Sequence, residues 1–389
     1  MNKLNNYPVI LVHGFLCWGS ESNINQFMPC MGMWHGNARD AIMEEEQVCF
    51  TPHIGPFTSM WDRACLLYAM IKGGRVDFGK VHSEKMGHER YGETFPGYVP
   101  DWGELDEAGK IKKVILIGHS FGAPTTRTLI HLLAEGDEEE RAGTPSDELS
   151  DLFKGGKADW IHAEVTLAGT HNGVTLPDAA RPLVKPASAA LFAVGNLVSG
   201  TWFSKFYNFR LEQFGFCSTE KHIKFSKDKI AHLVNLERDN IYYELSTTGA
   251  MECMKDYKTY DNIYYFSYYG RRTRRKAGIE YPSKDIWFPL RLFSPFECLY
   301  SDDTHKGEAW QANDGIVNVA AAHHPEGQPF VEYADLKSDA DIKPGVWTVM
   351  PQEWKDHTSY MGVGENHEVY QNFFKDIVLR IDNLPAINE

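Results

Sequence analysis

The chain has 389 residues, of which 43% are hydrophobic and 24% are charged, a composition that excludes a mainly disordered protein. Its 53 acidic residues outnumber its 39 lysines and arginines, which gives a formal net charge of −14. Such a surface repels phosphate backbones and argues against a nucleic-acid-binding protein. No apolar stretch reaches the ~18 residues of a membrane-spanning helix. The longest candidate, 187–198, is interrupted by Gly195 and Asn196.

The order of apolar runs along the chain predicts an α/β protein. Continuous apolar segments at 8–12 and 113–117 predict buried parallel strands, and the spacing after the second predicts a helix over 123–133. Further strands are predicted at 160–167, 263–267 and 345–350, and a closing amphipathic helix at 368–382. Strands that alternate with helices predict a largely parallel sheet with helices on both faces.

Two regions interrupt this alternation within what we predict to be a single domain over 1–389. Residues from about 54 to 103 are rich in Trp, His and Gly and have no strand pattern, and residues from about 172 to 260 are mostly helical. Both are predicted to be insertions above the sheet, where loops build active sites.

The segment 118–122 reads Gly-His-Ser-Phe-Gly and lies between a predicted strand and a predicted helix. This Gly-x-Ser-x-Gly pattern is typical of a sharp strand-to-helix turn that exposes a nucleophilic serine, here Ser120. An oxyanion hole needs two N–H donors, which we expect from Phe121 and from Phe15 in the loop after the first strand. For both segments, 118–122 and 13–15, the alternative is an ordinary structural turn that contains glycine.

A catalytic serine needs a histidine base oriented by a carboxylate. In proteins whose serine lies on such a strand-to-helix turn, the chain order is serine, acid, histidine. The loop between the last strand and the last helix contains His357 and His367. His367 abuts the closing helix and is interpreted as a near-cap residue, so His357 is the predicted base. The predicted acid is Asp314, at a turn before an apolar run, and its competitors are Asp302, Asp303 and Asp356.

Three other features of the sequence are its cysteines, a basic run and the first residues of the chain. The seven cysteines are odd in number and contain no Cys-x-x-Cys pair, which predicts mostly buried free thiols rather than a disulfide framework or a Cys-based metal site. The basic run at 271–276 is interpreted as a solvated loop after a strand. The first residues lack a secretory signal, so the protein is expected to stay inside the cell or to begin after a cleaved leader.

Asp62 precedes two histidines, His82 and His88, by twenty and twenty-six residues. Imidazoles and carboxylates together suit Zn²⁺ in a closed tetrahedral site. Scattered surface histidines remain the alternative on spacing alone.

Several longer stretches resemble family I.5 bacterial lipases, the thermoalkaliphilic Geobacillus-type enzymes with staphylococcal relatives. The likeness runs over nearly the whole chain. It is carried by Val-His-Gly-Phe at 12–15, Trp-Asp-Arg-Ala-Cys at 61–65, Gly-Gly-Arg-Val-Asp-Phe-Gly at 73–79, His-Glu-Arg-Tyr-Gly at 88–92, Tyr-Glu-Leu-Ser at 243–246 and Asn-Asp-Gly-Ile-Val-Asn at 313–318.

The resemblance implies an α/β-hydrolase fold, a triad of Ser120, Asp314 and His357, and oxyanion donors at Phe15 and Phe121. It also implies a structural zinc ion. The ligands that match the family's are Asp62, His82, His88 and Asp239. Calcium is a doubtful cofactor, because Ser359, Tyr360 and the Gly-Glu at 364–365 depart from the family's calcium site.

The resemblance further implies a lid that opens at lipid–water interfaces, within which an apolar stretch contains Leu191, Phe192, Leu197 and Val198. The expected activity is hydrolysis of lipophilic carboxylic esters such as triacylglycerols, with a lipid–water interface as a transient partner, and the family is secreted. Polyester or phospholipid cleavage by the same fold is one alternative. A non-catalytic binding protein of this fold is another, and a metallohydrolase is a third.

Overall fold

The computed structural model describes residues 3–34, 36–198, 201–214 and 238–387. Part of the second predicted insertion, at 199–200 and 215–237, therefore lies outside the described residues, and so does Cys217.

The strands of the described residues form one large sheet and two small ones. They are β1 (Val9–Val12), β2 (Cys49–Phe50), β3 (Gly74–Asp77), β4 (Tyr91–Phe95), β5 (Val114–His119), β6 (Ile161–Leu167), β7 (Tyr264–Tyr268), β8 (Thr273–Lys276), β9 (Ile279–Pro282), β10 (Phe330–Glu332) and β11 (Trp347–Val349). The large sheet has seven strands in the order β10-β11-β7-β6-β5-β1-β2, and every neighbouring pair in it is parallel.

The α-helices of the described residues connect and cover these strands. They are α1 (Ala38–Glu44), α2 (Met60–Lys72), α3 (Lys80–Met86), α4 (Gly122–Glu135), α5 (Glu138–Gly143), α6 (Thr175–Ala179), α7 (Arg181–Val198), α8 (Trp202–Phe206), α9 (Ile241–Leu245), α10 (Thr247–Cys253), α11 (Ser294–Leu299), α12 (Glu308–Gln311), α13 (Val319–His323) and α14 (His367–Asp382).

Both faces of the large sheet are buried, which explains why its central strands are continuous apolar runs. In β1, Ile10 and Val12 join the apolar cluster that includes α2 and α4. Val9 and Leu11 point to the opposite face, into the cluster that includes α1 and α14. The alternation follows from the two-residue period of a strand.

The elements that the sequence predicts most strongly are confirmed. The structure places strands at Val9–Val12, Val114–His119, Ile161–Leu167 and Tyr264–Tyr268, and the last strand at Trp347–Val349. The helix predicted over 123–133 extends over Gly122–Glu135, and the closing helix begins one residue earlier than predicted, at His367. His367 follows the capping residue Asn366, as its interpretation as a near-cap residue requires.

The prediction that 54–103 has no strands is wrong, because β3 and β4 pair there as an antiparallel two-stranded sheet. Their side chains are mostly exposed or half-buried, so no apolar run marks them in the sequence. The basic run is likewise not a simple loop: Thr273–Lys276 pairs with Ile279–Pro282 as a hairpin.

The interpretation of the cysteines as free thiols is wrong for one pair. Cys17 and Cys30 form a disulfide that closes the long loop after β1. The other described cysteines, namely Cys49, Cys65, Cys253 and Cys298, are free, and all except Cys253 are buried. The count of seven could not reveal the pair, because pairing depends on where the loop brings two cysteines together.

Candidate active site

Ser120 lies between the end of β5 and the start of α4, in a strained turn. Its φ of 56° is in the left-handed region, which is rare for a residue with a side chain. The flanking glycines are required by close approach: a Cβ on Gly122 would lie 2.3 Å from the carbonyl oxygen of Val12, and one on Gly118 would lie 2.7 Å from the carbonyl carbon of Gly122. The turn therefore has the geometry of a nucleophile elbow.

Asp314 and His357 form a buried pair. The Nδ1 atom of His357 lies 2.8 Å from Oδ2 of Asp314, and the two side chains are 5% and 1% exposed. The other carboxylate oxygen, Oδ1, accepts hydrogen bonds from the backbone N–H groups of Ile316 and Val317, at 3.2 and 2.9 Å. Because Asp314 accepts at both oxygens, Nδ1 of His357 is assigned as the donor to Oδ2, which leaves Nε2 as the atom that can take up a proton.

His357 lies beside the serine elbow. The imidazoles of His357 and His119, the residue before Ser120, have their centroids 4.7 Å apart. The Nε2–H of His119 donates to the carbonyl oxygen of His357 at 3.2 Å. Burial and the neighbouring His357 hold the pKa of His119 well below its ordinary value. His119 is therefore neutral and packs between the serine turn and the loop that contains His357.

The loop after β1 packs directly against Ser120. A Cβ on Gly14 would lie 2.7 Å from Cβ and 3.2 Å from Oγ of Ser120, so only glycine fits there. The next residue, Phe15, therefore follows within reach of the serine. Among the described residues, the backbone N–H groups of Phe15 and Phe121 have no hydrogen-bond acceptor. Two amides of this kind beside a nucleophile can form an oxyanion hole.

Arg63 holds this loop in place, a role that the sequence did not reveal. Its guanidinium is fully buried and donates to the carbonyl oxygens of His13 and Gly55, and its Nε–H donates to Thr125 Oγ1 in α4 at 2.8 Å. The arginine thus joins the loop after β1 to α4, the helix that follows Ser120. The Trp-Asp-Arg-Ala motif contained Arg63, but only the fold shows what it contacts.

The competing acids have other partners. Asp356 caps the turn that follows it, accepting the N–H groups of Thr358 and Ser359, and its second oxygen accepts the N–H of Trp287 at 2.9 Å. Asp302 contacts His305 rather than His357. The neighbouring Asp303 has no contact with His357 among the described residues.

A second cluster unites Asp62, His82, His88 and Asp239. One potential ligand atom from each residue lies within 4.8 Å of all the others. The Nε2 atoms of both histidines face carboxylate oxygens of both aspartates at distances from 3.4 to 3.8 Å. These separations are longer than ordinary N–H···O hydrogen bonds. They are close to the ~3.3 Å that separates neighbouring ligands of a tetrahedral ion bound at ~2.0 Å.

The environment of the cluster fits a cation. Asp62 Oδ1, His82 Nε2 and His88 Nε2 are buried and have no hydrogen-bond partner in the described part of the chain. Burial and the nearby carboxylate of Asp239 raise the pKa of Asp62 to about 6, a cost that a bound cation would remove. The arrangement is thus a candidate metal site, and its imidazole nitrogens disfavour Ca²⁺ and Mg²⁺.

Further contacts orient the side chains of this cluster, and sequence reasoning missed them. Trp61 stacks on His82 with ring centroids 4.7 Å apart, and Gln213 donates to Asp62 Oδ2 at 2.9 Å. His88 Nδ1 donates to the carbonyl oxygen of Glu89 at 2.9 Å, which directs Nε2 into the cluster. The cluster joins α2, α3 and a residue far along the chain, Asp239.

The segment predicted as a lid lies mainly in α7. Phe192 is buried, and its ring packs edge-on against Phe57 with centroids 5.1 Å apart, in an apolar cluster that also contains Phe121. Leu191 and Val198 are half-buried, whereas Leu197 is 66% exposed. None of the helices in the described ranges has the length and hydropathy that a bilayer-spanning segment requires.

An all-parallel sheet with a strained serine at the end of β5, and an aspartate–histidine pair delivered beside it by later loops, defines an α/β-hydrolase. More narrowly, the chain belongs to the lipase-like C-terminal domain family, whose family model matches residues 5–384.

Named relatives agree with this assignment. Lipase 2 of Staphylococcus aureus is 34% identical over 373 residues, covering 93% of this chain but 51% of that protein, so the chain spans about half the length of the curated relatives it matches. The crystal structure of Staphylococcus hyicus lipase superposes with a TM-score of 0.83 at 28% identity, covering 98% of this chain and 97% of that one. Lipase 1 from Pelosinus fermentans gives a TM-score of 0.77 at 33% identity, covering 96% and 98%.

Proposed function

We propose that this protein hydrolyses lipophilic carboxylic esters, with triacylglycerols as the favoured class, through an acyl-enzyme on Ser120. The observation that carries the proposal is the Asp314–His357 pair, which lies beside the strained turn that holds Ser120. The family membership and the lipases among the relatives support the same activity.

In the first step, Ser120 Oγ attacks the ester carbonyl carbon and His357 Nε2 takes the hydroxyl proton. Asp314, which accepts Nδ1–H, stabilises the imidazolium that forms. The amides of Phe15 and Phe121 donate to the oxyanion of the tetrahedral intermediate, a contribution of several kcal/mol in comparable sites. Collapse of the intermediate breaks the C–O bond, and the alcohol leaves with the proton from His357.

In the second step, water attacks the acyl-enzyme. His357 now takes a proton from the water, and a second tetrahedral intermediate forms in the same oxyanion hole. Its collapse releases the carboxylic acid and returns the proton to Ser120. All of these proton transfers occur at one atom, Nε2, whose availability depends on the contact between Nδ1 and Asp314.

The test is covalent labelling and turnover. A fluorophosphonate probe is expected to label the protein at Ser120, and Ser120→Ala is expected to lose both labelling and p-nitrophenyl ester hydrolysis without a change in melting temperature. Ser301→Ala, at an exposed position, is the matched control and should retain both. Retained turnover in Ser120→Ala would remove Ser120 from the mechanism, and a wild-type protein that neither labels nor hydrolyses esters would indicate a binding protein instead.

We propose further that the Asp62–His82–His88–Asp239 cluster holds one structural Zn²⁺. The ion would tie the β3–β4 region to the rest of the chain through four protein ligands, without an open position for substrate. The orphaned nitrogen and oxygen atoms of the cluster support this assignment. Elemental analysis should find one zinc per chain, and His88→Ala should reduce that content to background while Ser120 stays reactive.

Helix α7 is proposed as a lid over the catalytic residues, with Leu191, Phe192, Leu197 and Val198 in its apolar part. The packing of Phe192 in the cluster of Phe121 supports a closed position, and the exposed Leu197 offers a first contact with lipid. In the double variant Phe57→Cys and Phe192→Cys, a disulfide between the two introduced cysteines should suppress hydrolysis of emulsified esters until it is reduced. Full activity of the tethered protein would contradict the proposal.

Secretion is the proposed localisation. The Cys17–Cys30 disulfide supports it, because such bonds persist in oxidising compartments and are rare in the cytosol. Cell fractionation of the native host should find the protein outside the cytoplasm, and recovery from the cytoplasm alone would contradict the proposal.

A further inference from the structure

The segment 271–299 differs in charge from the rest of the protein. It contains seven lysines and arginines and three carboxylates, a net charge of +4 within a chain whose net charge is −14. It forms the β8–β9 hairpin and continues through Leu290–Leu292 to α11. No residue of this segment takes part in the proposed catalytic steps.

The two arginines that precede the hairpin are already paired. Arg271 binds the buried carboxylate of Glu280 at 2.9 Å, and Arg272 binds Asp285 at 2.9 Å. A third carboxylate, Glu308, also contacts Arg271, at 3.1 Å. The acidic residues beside the hairpin are therefore already paired with arginines.

The outer face of the hairpin carries unneutralised cations. Arg274 pairs with Tyr281 and Lys276 with Ile279 in the antiparallel register, so these four side chains share one face. Together with Lys284, the two cations line a surface groove of about 450 Å³, and the carboxylate that also lines it, Asp285, is paired with Arg272. In the described ranges, none of these three cations contacts a carboxylate, although Arg274 stacks on Trp354 with its guanidinium 4.8 Å from the ring centroid.

Exposed apolar side chains follow directly after the hairpin. Between residues 287 and 299, six large apolar side chains are 40–71% exposed: Trp287, Phe288, Leu292, Phe293, Phe296 and Leu299. Exposed apolar residues in such density are uncommon on a soluble surface and mark contact with a protein or a membrane. Aromatic residues beside cations are the combination that lies at the boundary between lipid headgroups and acyl chains.

This surface adjoins the proposed catalytic residues. The backbone N–H of Arg272 donates to the carbonyl oxygen of Asn313, the residue before Asp314, at 2.9 Å. The N–H of Trp287 donates to the carboxylate of Asp356, the residue before His357. The residue before β8 and the first residue of the apolar segment are thus hydrogen-bonded to the two loops that contain Asp314 and His357.

We propose that this hairpin surface, defined as Arg274, Lys276, Lys284 and the exposed apolar residues of 287–299, binds the surface of an anionic lipid membrane. Charge complementarity selects the occupant: a cationic groove in an otherwise acidic protein attracts anionic headgroups while the rest of the molecule is repelled. The apolar residues favour lipid over nucleic acid, which would use cations and stacking but not exposed leucines. The inference deepens the proposed function, on which it rests for the lipid substrate.

The contribution of the three cations to membrane binding is tested by co-sedimentation of the Ser120→Ala protein with phosphatidylcholine vesicles, with and without phosphatidylglycerol. Each basic residue near an anionic surface strengthens partitioning about five-fold, so Arg274→Gln, Lys276→Gln and Lys284→Gln together should weaken binding to the anionic vesicles roughly a hundred-fold at low salt. The matched control removes three exposed lysines elsewhere, Lys255, Lys337 and Lys343, and should bind like the parent. An equal loss in the control would reduce the effect to net charge and overturn the proposal.

The apolar part is tested with a pair of leucines of similar exposure. Leu299 is 71% exposed and Leu105 is 65% exposed. Leu299→Ser should weaken vesicle binding by about ten-fold, and Leu105→Ser should not change it. Because the Ser120→Ala background has no nucleophile, binding is measured apart from catalysis, and wild-type ester turnover reports the proposed function separately.

Three results would overturn the assignment to lipid. One is a failure of the wild-type surface to bind anionic vesicles at all. The second is charge-dependent binding of a labelled single-stranded RNA that Leu299→Ser leaves unchanged. The third is sedimentation velocity that shows a dimer which Leu299→Ser dissociates, because the surface would then be an interface between two copies.

Discussion

Asp314→Asn is the change that most directly tests the proposed catalytic arrangement. Two backbone N–H groups, from Ile316 and Val317, point at Oδ1, so the amide oxygen of an asparagine must occupy that position. The amide NH₂ group then replaces Oδ2, 2.8 Å from Nδ1 of His357. Since NH₂ is only a donor, Nδ1 must become the acceptor, and the proton of the neutral imidazole moves to Nε2.

With a proton already on Nε2, His357 cannot take the proton of Ser120. The same change of tautomer in a serine protease triad lowers kcat by about 10⁴. This factor corresponds to about 5 kcal/mol of transition-state stabilisation. We expect a loss of this size here, with little effect on KM, because substrate binding does not involve Asp314. The folding cost should be small, since asparagine has the same shape and keeps the hydrogen bonds from both amides.

The assay is the steady-state hydrolysis of a soluble p-nitrophenyl ester by wild type and by Asp314→Asn, with melting temperatures measured in parallel. Asp302→Asn serves as the control, because Asp302 contacts His305 and not His357, and it should remain close to wild type. An Asp314→Asn protein that is folded and retains more than about a tenth of the wild-type kcat would refute the tautomer argument.

Three further predictions concern stability. Cys17→Ser should lower the free energy of unfolding by about 3 kcal/mol, because the disulfide with Cys30 closes a loop of 13 residues' separation. Burial raises the pKa of Glu164 to about 7 from 4.5, so the folded state holds a proton that the unfolded state releases. The free energy of unfolding should therefore fall as the pH rises from 4.5 to about 7. Above about pH 7, Glu164→Gln should be more stable than wild type by up to about 3 kcal/mol. Chelation of the proposed zinc should lower stability by about 4 kcal/mol relative to protein in free zinc at a thousand times Kd.

Urea unfolding followed by tryptophan fluorescence measures all three changes, and each has a matched control. Cys253→Ser alters a free cysteine and should cost less than Cys17→Ser. Glu138→Gln alters an exposed carboxylate, so its stability should follow the wild-type pH dependence. His88→Ala should be insensitive to the chelator. Equal losses in Cys17→Ser and Cys253→Ser, parallel pH curves for Glu164→Gln and wild type, or a chelator effect that persists in His88→Ala would each contradict the corresponding prediction.

The sequence determined those parts of the fold in which the local pattern and the environment agree. The strands β1 and β5 are buried on both faces, so they are unbroken apolar runs. The amphipathic spacing of the closing helix reflects one buried face, and its end at Asp382 matched the prediction. The glycines at 118 and 122 were informative because each is needed where backbones approach too closely for a Cβ.

Only the tertiary structure decided which distant residues meet. The exposed strands β3 and β4 carry no apolar signal, and the pairing of Cys17 with Cys30 depends on the path of a loop rather than on spacing. The basic run at 271–276 is ambiguous as a sequence, because only the folded chain separates Arg271 and Arg272, which bind Glu280 and Asp285, from the cations of β8 that face outward.

The same division applies to the two clusters of chemical groups. The residue types and motifs of the sequence, read with a family resemblance, nominated Ser120, Asp314 and His357 and the four potential metal ligands. Their approach to one another is a property of the folded chain, since a carboxylate and an imidazole interact only when folding brings them within a few ångströms and removes the water between them. Sequence patterns record the local cost of burial and backbone conformation, whereas the contacts between distant side chains exist only after the sheet has formed.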